Sequence, residues 1–176
     1  MDNVYVAKIG KTVGLKGQLK LNIDTDFPEQ FKKNAIFTTN KKQELTIESI
    51  NLTSKTVKFF EINSIEEAQR YINTQLLTTQ EDTIKNCKLE KKQFFWFDIE
   101  QCNIYEDGKF LGKIKEIHRY PIDDYLEIET SAELFEQNKE YSKSFMIPYN
   151  DHYIQEVNIK DKIINVTNAM EILEAS

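Results

Sequence analysis

Hydrophobic and polar residues alternate along much of the first half of the chain. Leu19, Leu21 and Ile23 are separated by polar neighbours, which is the period-two pattern of a strand that buries one face. Similar short patterns predict further strands within residues 4–6, 45–47, 57–62 and 76–77. The first half is therefore predicted to fold mainly as β-structure.

One short helix is predicted between these strands. Ser64 and Glu67 have the S-x-x-E spacing of a capping box, in which the serine hydroxyl accepts from the third helical amide while the glutamate reaches back. The good helix formers of residues 68–70 follow. Asn73 is expected to adopt the left-handed conformation that often ends a helix.

The second half repeats the alternation in short segments. Asp107-Gly108 favours the type I′ turn of a β-hairpin, and residues 130–143 are predicted to form a long exposed loop. Many short strands with close turn signals are typical of barrels and sandwiches. Strands are predicted in residues 102–106, 110–120, 125–129, 145–149, 155–159 and 163–166.

The polar segment between the halves predicts the domain organisation. Residues 80–93 are polar and charged without a clear period, which is typical of a linker. The fold class is predicted to be mainly β, with two small β-barrels in tandem and one short helix in the N-terminal domain. The predicted parts are an N-terminal domain in residues 1–82, a linker in 83–93 and a C-terminal domain in 94–176.

The five glycines fall into two clusters, which marks where the backbone needs unusual freedom. Gly10, Gly14 and Gly17 predict a tight connection between the first two strands. Gly108 belongs to the predicted hairpin turn. Gly112 lies inside a predicted strand, where glycine marks a bulge or a barrel corner.

Composition excludes several protein classes. Of the 176 residues, 40% are hydrophobic and 30% are charged, which is an ordinary globular balance. No segment approaches the roughly 18 consecutive apolar residues of a membrane helix, and the first residues lack a signal-peptide pattern. We therefore expect a cytoplasmic protein with no membrane partner, in which Cys87 and Cys102 are buried free thiols.

The net charge of −6 is unevenly distributed. Residues 1–90 hold 13 basic and 12 acidic residues, a net charge of +1, whereas residues 91–176 hold 10 and 17, a net charge of −7. A basic edge suits RNA phosphate, and an acidic domain suits a basic protein. The alternative is that both are ordinary solvated surface.

The first twenty residues contain the candidate RNA contacts. The glycine-flanked turn from Gly14 to Gly17 could present its amides to phosphate, and basic side chains surround it in the sequence. The alternative is a structural turn with solvated lysines. The candidate basic residues are Lys8, Lys11, Lys16 and Lys20.

Phe94, Phe95 and Trp96 belong to the densest aromatic run, which continues to Phe97. Adjacent residues of a strand face opposite sides, so four in a row cannot all enter one core. One hypothesis is that the outward residues contact a protein partner or the other domain. The alternative is that the run packs the core and the domain junction.

No catalytic or metal-ligating pattern stands out. Asp24 with Asp26, and Asp123 with Asp124, could form acid pairs, but neighbouring carboxylates on a strand diverge and are typical of turns. His118 and His152 have no second histidine or cysteine at ligand spacing. We therefore predict no catalytic residue, no metal and no cofactor.

Taken in order, these motifs resemble the ribosome maturation factor RimM family over nearly the whole chain. In the first half the resemblance is carried by residues 6–11, 14–21 and 25–29, with sequences VAKIGK, GLKGQLKL and TDFPE. In the second half it is carried by FFWFDI at 94–99, DGKFLGKI at 107–114, DYLEI at 124–128, IPY at 147–149 and VNI at 157–159.

The resemblance implies a translation-factor-like N-terminal barrel, a C-terminal PRC barrel and a non-enzymatic assembly role. The implied partners are the free small ribosomal subunit, ribosomal protein S nineteen of its head, and 16S rRNA, whose folding and maturation such factors promote. The family's usual tyrosine pair is replaced here by Phe94 and Phe95, which removes two hydroxyl groups. An RNA-processing hydrolase and a generic β-barrel adaptor remain the alternatives.

Overall fold

The computed structural model describes residues 2–176. The chain divides into two compact units, whose bounds are Met1–Lys88 and Leu89–Ser176. Each unit is built on a β-sheet with a few short helices, so the mainly β fold predicted from the sequence is confirmed. In residues 2–176 no helix has the length and apolar character needed to cross a bilayer.

The N-terminal unit is a closed barrel whose strands follow the order β1-β2-β5-β4-β3-β6. The predicted strands are present, although β1 extends to Val13 and β5 ends at Phe59, so the prediction of a strand as far as Ile62 is wrong. β3 is an additional strand that the sequence did not predict. Because only Phe37 and Thr39 of β3 point inward, its four residues show little hydrophobic alternation. The bounds are β1 Asn3–Val13, β2 Gln18–Ile23, β3 Ile36–Thr39, β4 Glu44–Asn51, β5 Thr56–Phe59 and β6 Gln75–Thr79.

The predicted helix is confirmed as α1, Ile65–Gln69. The Ser64 hydroxyl accepts from the Glu67 amide at 3.1 Å. The Glu67 carboxylate accepts from the amide of Asn63 at 2.7 Å, one residue before the cap. Asn73 has a φ of 67°, the left-handed conformation that was expected.

A second helix, α2 at Gln80–Asn86, corrects the prediction of one helix in this part of the chain. It lies largely in the segment that the sequence predicts to be an irregular linker. Thr79 begins it by accepting from the Asp82 amide at 3.0 Å. Its only large apolar side chain, Ile84, is 60% exposed, so no apolar stripe signals the helix in the sequence.

The C-terminal unit is a six-stranded sheet of order β10-β9-β8-β7-β12-β11 within the described residues. The six predicted strands are confirmed to within about one residue at each end. Neighbouring strands pair antiparallel except β12 with β7, which are parallel. The bounds are β7 Asn103–Glu106, β8 Lys109–Arg119, β9 Asp124–Thr130, β10 Ser144–Pro148, β11 Ile154–Asn158 and β12 Ile163–Val166.

Glycine shapes the β7–β8 hairpin as predicted. Asp107 and Gly108 have φ values of 49° and 79°, which are the paired positive angles of a type I′ turn. The β7–β8 register shifts opposite Gly112, which confirms the predicted bulge. A side chain at Gly112 would overlap the Glu129 carbonyl oxygen, because β8 and β9 approach closely there.

Short helices in the C-terminal unit are further corrections. Residues 96–99, part of the aromatic run to which strand alternation was applied, instead form α3, Trp96–Ile99. The predicted loop contains α4, Ala132–Gln137, whose Leu134 is buried. The chain ends in α5, Ala169–Ala175, which the sequence did not predict. Helices of four to seven residues are too short to show a 3.6-residue period.

Each unit has its own apolar core. The N-terminal core contains Val6, Ile9, Leu19, Leu21, Phe31, Phe37, Leu45, Ile47, Val57, Phe59, Ile62 and Leu76. The C-terminal core contains Ile99, Cys102, Ile104, Leu111, Leu126, Ile128, Leu134, Phe145, Ile147, Ile164, Val166 and Leu173. Both cysteines are buried free thiols, and burial raises the pKa of Cys87 to about 11.

Candidate functional site

Lys8 and Lys20 lie on one outward face of the N-terminal barrel. Lys8 pairs with Asn22 across β1 and β2, while the neighbouring residues Ala7 and Ile9 are buried. A Cβ placed on Gly10 would lie 3.2 Å from the Cβ of Lys20. Since alternate residues of a strand share a face, the structure brings two of the four predicted lysines to one surface.

Lys11 and Lys16 lie towards the turn that joins β1 to β2, and both are exposed. Lys11 lies at a shift in the β1–β2 register, and Lys16 lies in the turn itself. Gly14 and Gly17 of this turn have φ values of 67° and 92°. A Cβ on Gly17 would lie 2.6 Å from the Ile62 carbonyl oxygen, so this glycine fixes the turn that presents Lys16.

The Lys20 ammonium is partly engaged within the barrel. Its Nζ donates to the carbonyl oxygen of Ser54 at 2.6 Å. An ammonium group has three donors, so two remain for another acceptor such as a phosphate oxygen. The contact therefore orients Lys20 without using up its capacity to bind.

The aromatic run of the C-terminal unit, residues 94–97, is buried or partly buried rather than fully exposed. Phe95 is 5% exposed and stacks on Phe97 with ring centroids 5.1 Å apart. Trp96 meets Tyr149 edge to face at 5.1 Å, and the Arg119 guanidinium lies 4.9 Å from the Trp96 ring centroid. Phe95 and Trp96 thus form a fixed support beside the half-buried Phe94.

Phe94 lines a groove of about 600 Å³ beside the edge strand β11. Its apolar wall is formed with Tyr149, Ile154 and Val157, whereas Lys92, Asp151, Gln155 and Glu156 contribute polar groups. Burial raises the pKa of Tyr149 to about 12, so its phenol stays protonated at neutral pH. The groove suits a mixed apolar and polar ligand surface.

Glu116, His118 and Glu127 bring potential metal-ligating atoms within 4.8 Å of one another on β8 and β9. The sequence did not predict this cluster, because Glu127 joins the other two residues only through the β8–β9 register. His118 Nε2 lies 2.8 Å from one Glu127 oxygen, and Lys115 Nζ lies 2.9 Å from the other.

These contacts favour an ion-pair network over a metal centre. The hydrogen bond from Lys115, and to a smaller extent the one with His118, lower the pKa of Glu127 to about 2. Both carboxylate oxygens of Glu127 are already engaged, and Lys115 supplies the positive charge that a metal ion would bring. A cation at Glu127 would be repelled by the ammonium of Lys115, 2.9 Å from that carboxylate.

The carboxylates that the sequence considered as acid pairs point to different partners. Asp123 accepts from the Asn150 side chain at 3.2 Å, and Asp124 accepts from Arg119 Nε at 2.7 Å. The two neighbouring carboxylates therefore serve separate contacts, as expected of turn residues.

Comparison with protein families identifies both halves of the chain. The RimM N-terminal domain model matches residues 4–83, and the RimM PRC barrel domain model matches residues 96–172. The chain belongs to the RimM family. The resemblance seen in the sequence motifs is thereby confirmed over nearly their whole extent.

Relatives in this family match the chain over almost its whole length. The ribosome maturation factor RimM of Aliarcobacter butzleri is 49% identical, over 99% of this chain and 98% of its own. That of Sulfurimonas denitrificans is 46% identical, over 98% of this chain and 96% of its own. A crystal structure of Pseudomonas aeruginosa RimM aligns over 97% of this chain and 99% of its own, with TM-score 0.42 and 16% identity. At those values the structural alignment adds nothing to the family assignment.

Proposed function

We propose that this RimM-family chain is a non-enzymatic assembly factor for the small ribosomal subunit, with no cofactor. It binds ribosomal protein S nineteen and the head region of 16S rRNA, and so promotes head folding and rRNA maturation in the cytoplasm. The observation that carries the proposal is the end-to-end similarity to proteins named ribosome maturation factors, at 49% and 46% identity.

The net charges of the two units support a different binding partner for each unit. Residues 89–176 contain 10 basic and 18 acidic residues, a net charge of −8. Residues 1–88 contain 13 basic and 11 acidic residues, a net charge of +2. An acidic unit attracts a basic ribosomal protein and repels phosphate, so the protein contact belongs to the C-terminal unit.

The N-terminal unit is proposed to contact the RNA backbone. Lys8 and Lys20 share a barrel face, and exposed Lys11 and Lys16 add charge near the Gly14–Gly17 turn. Arginine is scarce in the chain, which argues against bidentate recognition of base edges and favours phosphate contacts. Binding of this kind selects RNA by shape and charge.

Phe94 is proposed to contact the protein partner, with Phe95 and Trp96 holding it in place. Phe94 faces the groove beside β11, while the other two are packed against Phe97 and Tyr149. This arrangement assigns the contact itself to Phe94 and a supporting role to its neighbours. If the chain binds the folded head more tightly than the unfolded head, binding shifts the folding equilibrium of the head towards the folded form. The size of that shift is set by the difference between the two affinities.

Sedimentation of the full chain with ribosomal particles tests the proposal. We expect the chain to migrate with free small subunits and not with joined ribosomes. Phe94→Ala should weaken this association, whereas Phe60→Ala, which removes a phenylalanine 45% exposed in the other unit, should not. Absence of binding to free subunits would overturn the proposal.

Incubation with precursor 16S rRNA and Mg²⁺ tests the non-enzymatic role. We expect the RNA to remain intact. Cleavage that disappears in an Asp24→Asn, Asp26→Asn double variant would instead support the RNA-processing hydrolase. Binding to unrelated basic proteins as tightly as to ribosomal protein S nineteen would support a generic adaptor.

A further inference from the structure

Ile122, at the tip of the β8–β9 hairpin, is an apolar residue exposed to solvent. Ile122 is 95% exposed, the highest value among the exposed large hydrophobic residues of the described chain. Tyr120 beside it is 52% exposed. Together with Tyr125 and Met146, these residues line a shallow groove of about 520 Å³. We call this surface, Tyr120, Pro121, Ile122, Tyr125 and Met146, the hairpin patch.

The hairpin patch is braced on both sides of the turn. Tyr120 packs edge to face on Tyr125, with centroids 5.6 Å apart. The Arg119–Asp124 ion pair, at 2.7 Å, joins the two strands at the base of the turn. The Asn150 side chain donates to Asp123 at 3.2 Å and ties the turn to the loop after β10.

This bracing is typical of a preorganised interface. An apolar side chain in a mobile loop would lose conformational entropy on binding, and that loss would weaken the complex. Here the neighbouring contacts already fix the turn that carries Ile122. Tyrosine is enriched among binding anchors, and an exposed apolar patch marks an interaction site. Ile122 is 95% exposed and contributes almost nothing to the core of its own unit.

Charge decides which partner fits the hairpin patch. Residues 115–127 contain four carboxylates, Glu116, Asp123, Asp124 and Glu127, against Lys115 and Arg119, a net charge of −2. Lys115 pairs with Glu127 and Arg119 pairs with Asp124, so the excess negative charge is that of Glu116 and Asp123. A negative rim repels an RNA backbone and attracts lysine and arginine side chains. An apolar centre within that rim therefore fits a basic protein segment that carries an apolar side chain.

We propose that the hairpin patch is a docking surface for a basic protein segment, whose apolar side chain packs on Ile122. The proposal rests on the proposed function, because the basic protein partner is the one assigned there to the C-terminal unit. It adds an anchor that lies outside the Phe94 groove, since the two surfaces share no lining residue. The partner's basic side chains bind Glu116 and Asp123, rather than Glu127 and Asp124, which Lys115 and Arg119 already hold.

The test is the affinity of the full chain for purified ribosomal protein S nineteen. Ile122→Ser should weaken binding at least tenfold, because truncation removes the anchor while the braced turn remains. Ile84→Ser is the matched control, since Ile84 is 60% exposed on α2 of the other unit and its loss should leave affinity unchanged. Both variants should keep the thermal unfolding midpoint of the wild type, because neither residue is buried.

A second variant tests the acidic rim separately. The Glu116 side chain is 63% exposed, so Glu116→Gln removes one charge without disturbing the core. We expect slower association at low salt and a weaker salt dependence of the association rate, because rim charges act mainly on encounter. Unchanged association kinetics would remove the rim from the proposed surface.

The outcomes separate this proposal from the proposed function. If the wild type binds the protein and Ile122→Ser binds equally well, the hairpin patch is overturned while the assembly role stands. If Ile122→Ser loses affinity for a 16S rRNA head fragment but not for the protein, the assigned partner is wrong. If the wild type binds neither the protein nor free small subunits, both proposals fall.

Discussion

Glu106 is predicted to hold the C-terminal helix in place. Its carboxylate accepts the amides of Ala169 at 2.9 Å and Met170 at 3.0 Å, across 63 and 64 residues of sequence. Asn168, the residue before α5, has a φ of 61° and caps no amide with its side chain. Glu106 therefore performs the role of an N-cap from a distant strand.

The magnitude follows from these two hydrogen bonds. Loss of an N-cap costs about 0.5–2 kcal/mol, and hydrogen bonds to a charged group contribute about 1.5–3 kcal/mol. Since Glu106 is only half-buried and water can replace part of the interaction, we expect Glu106→Ala to lower the free energy of unfolding by about 2 kcal/mol. Glu106→Gln keeps one acceptor oxygen and should cost about 1 kcal/mol.

Urea unfolding followed by tryptophan fluorescence measures this loss directly. The chain has one tryptophan, Trp96, and it packs against the C-terminal core, so its emission reports the unit that contains α5. Glu174→Ala is the control, because Glu174 is exposed in the last turn of the same helix. It should change stability by less than about 0.5 kcal/mol. A Glu106→Ala variant as stable as this control would refute the capping role.

The remaining predictions concern the ion-pair network, a glycine and the RNA contact. By NMR titration, the pKa of Glu127 should lie well below 4.5, near 2, and Lys115→Gln should raise it. Because the folded-state pKa is lowered, the stability that Glu127 contributes is present above pH 4.5 and is lost as the pH falls towards 2. Gly112→Ala should lower the free energy of unfolding by about 3 kcal/mol through overlap with the Glu129 carbonyl. Gly108→Ala, at an uncrowded positive φ, should cost only about 1–2 kcal/mol in the same assay. In binding to a 16S rRNA fragment, a Lys11→Gln, Lys16→Gln double variant should reduce the slope of log affinity against log salt by roughly 1–2, and Lys32→Gln with Lys33→Gln should not.

Structural features that depend on residues close together in the sequence could be predicted from the sequence. Strands with one buried face show the period-two alternation, so the β2 pattern Leu19, Leu21 and Ile23 and all six C-terminal strands are recovered. The capping box at Ser64 and the Asp107-Gly108 turn are also local, because each depends on residues within one turn of the chain.

Distant contacts explain what the sequence does not predict. The start of α5 depends on Glu106, more than sixty residues earlier, and no local signal indicates that partner. α2 begins at a Thr79 cap but has no apolar stripe. The network of Glu116, His118 and Glu127 needs the register of two strands. Ile122 does leave a signal, since an apolar residue between a proline and two aspartates in a turn is unusual.

The separation of charge between the two units has a consequence for release. Each proposed contact is modest: a few lysines on RNA phosphate, and one apolar anchor with an acidic rim on a basic protein. Joined in one chain, the contacts reinforce each other, because the first to bind raises the local concentration of the second. If both proposed contacts form, binding is tightest where the two surfaces are offered together. Under the proposed function, covering either surface as the subunit matures would leave a single contact and weaken binding, so release would require no covalent bond to be broken.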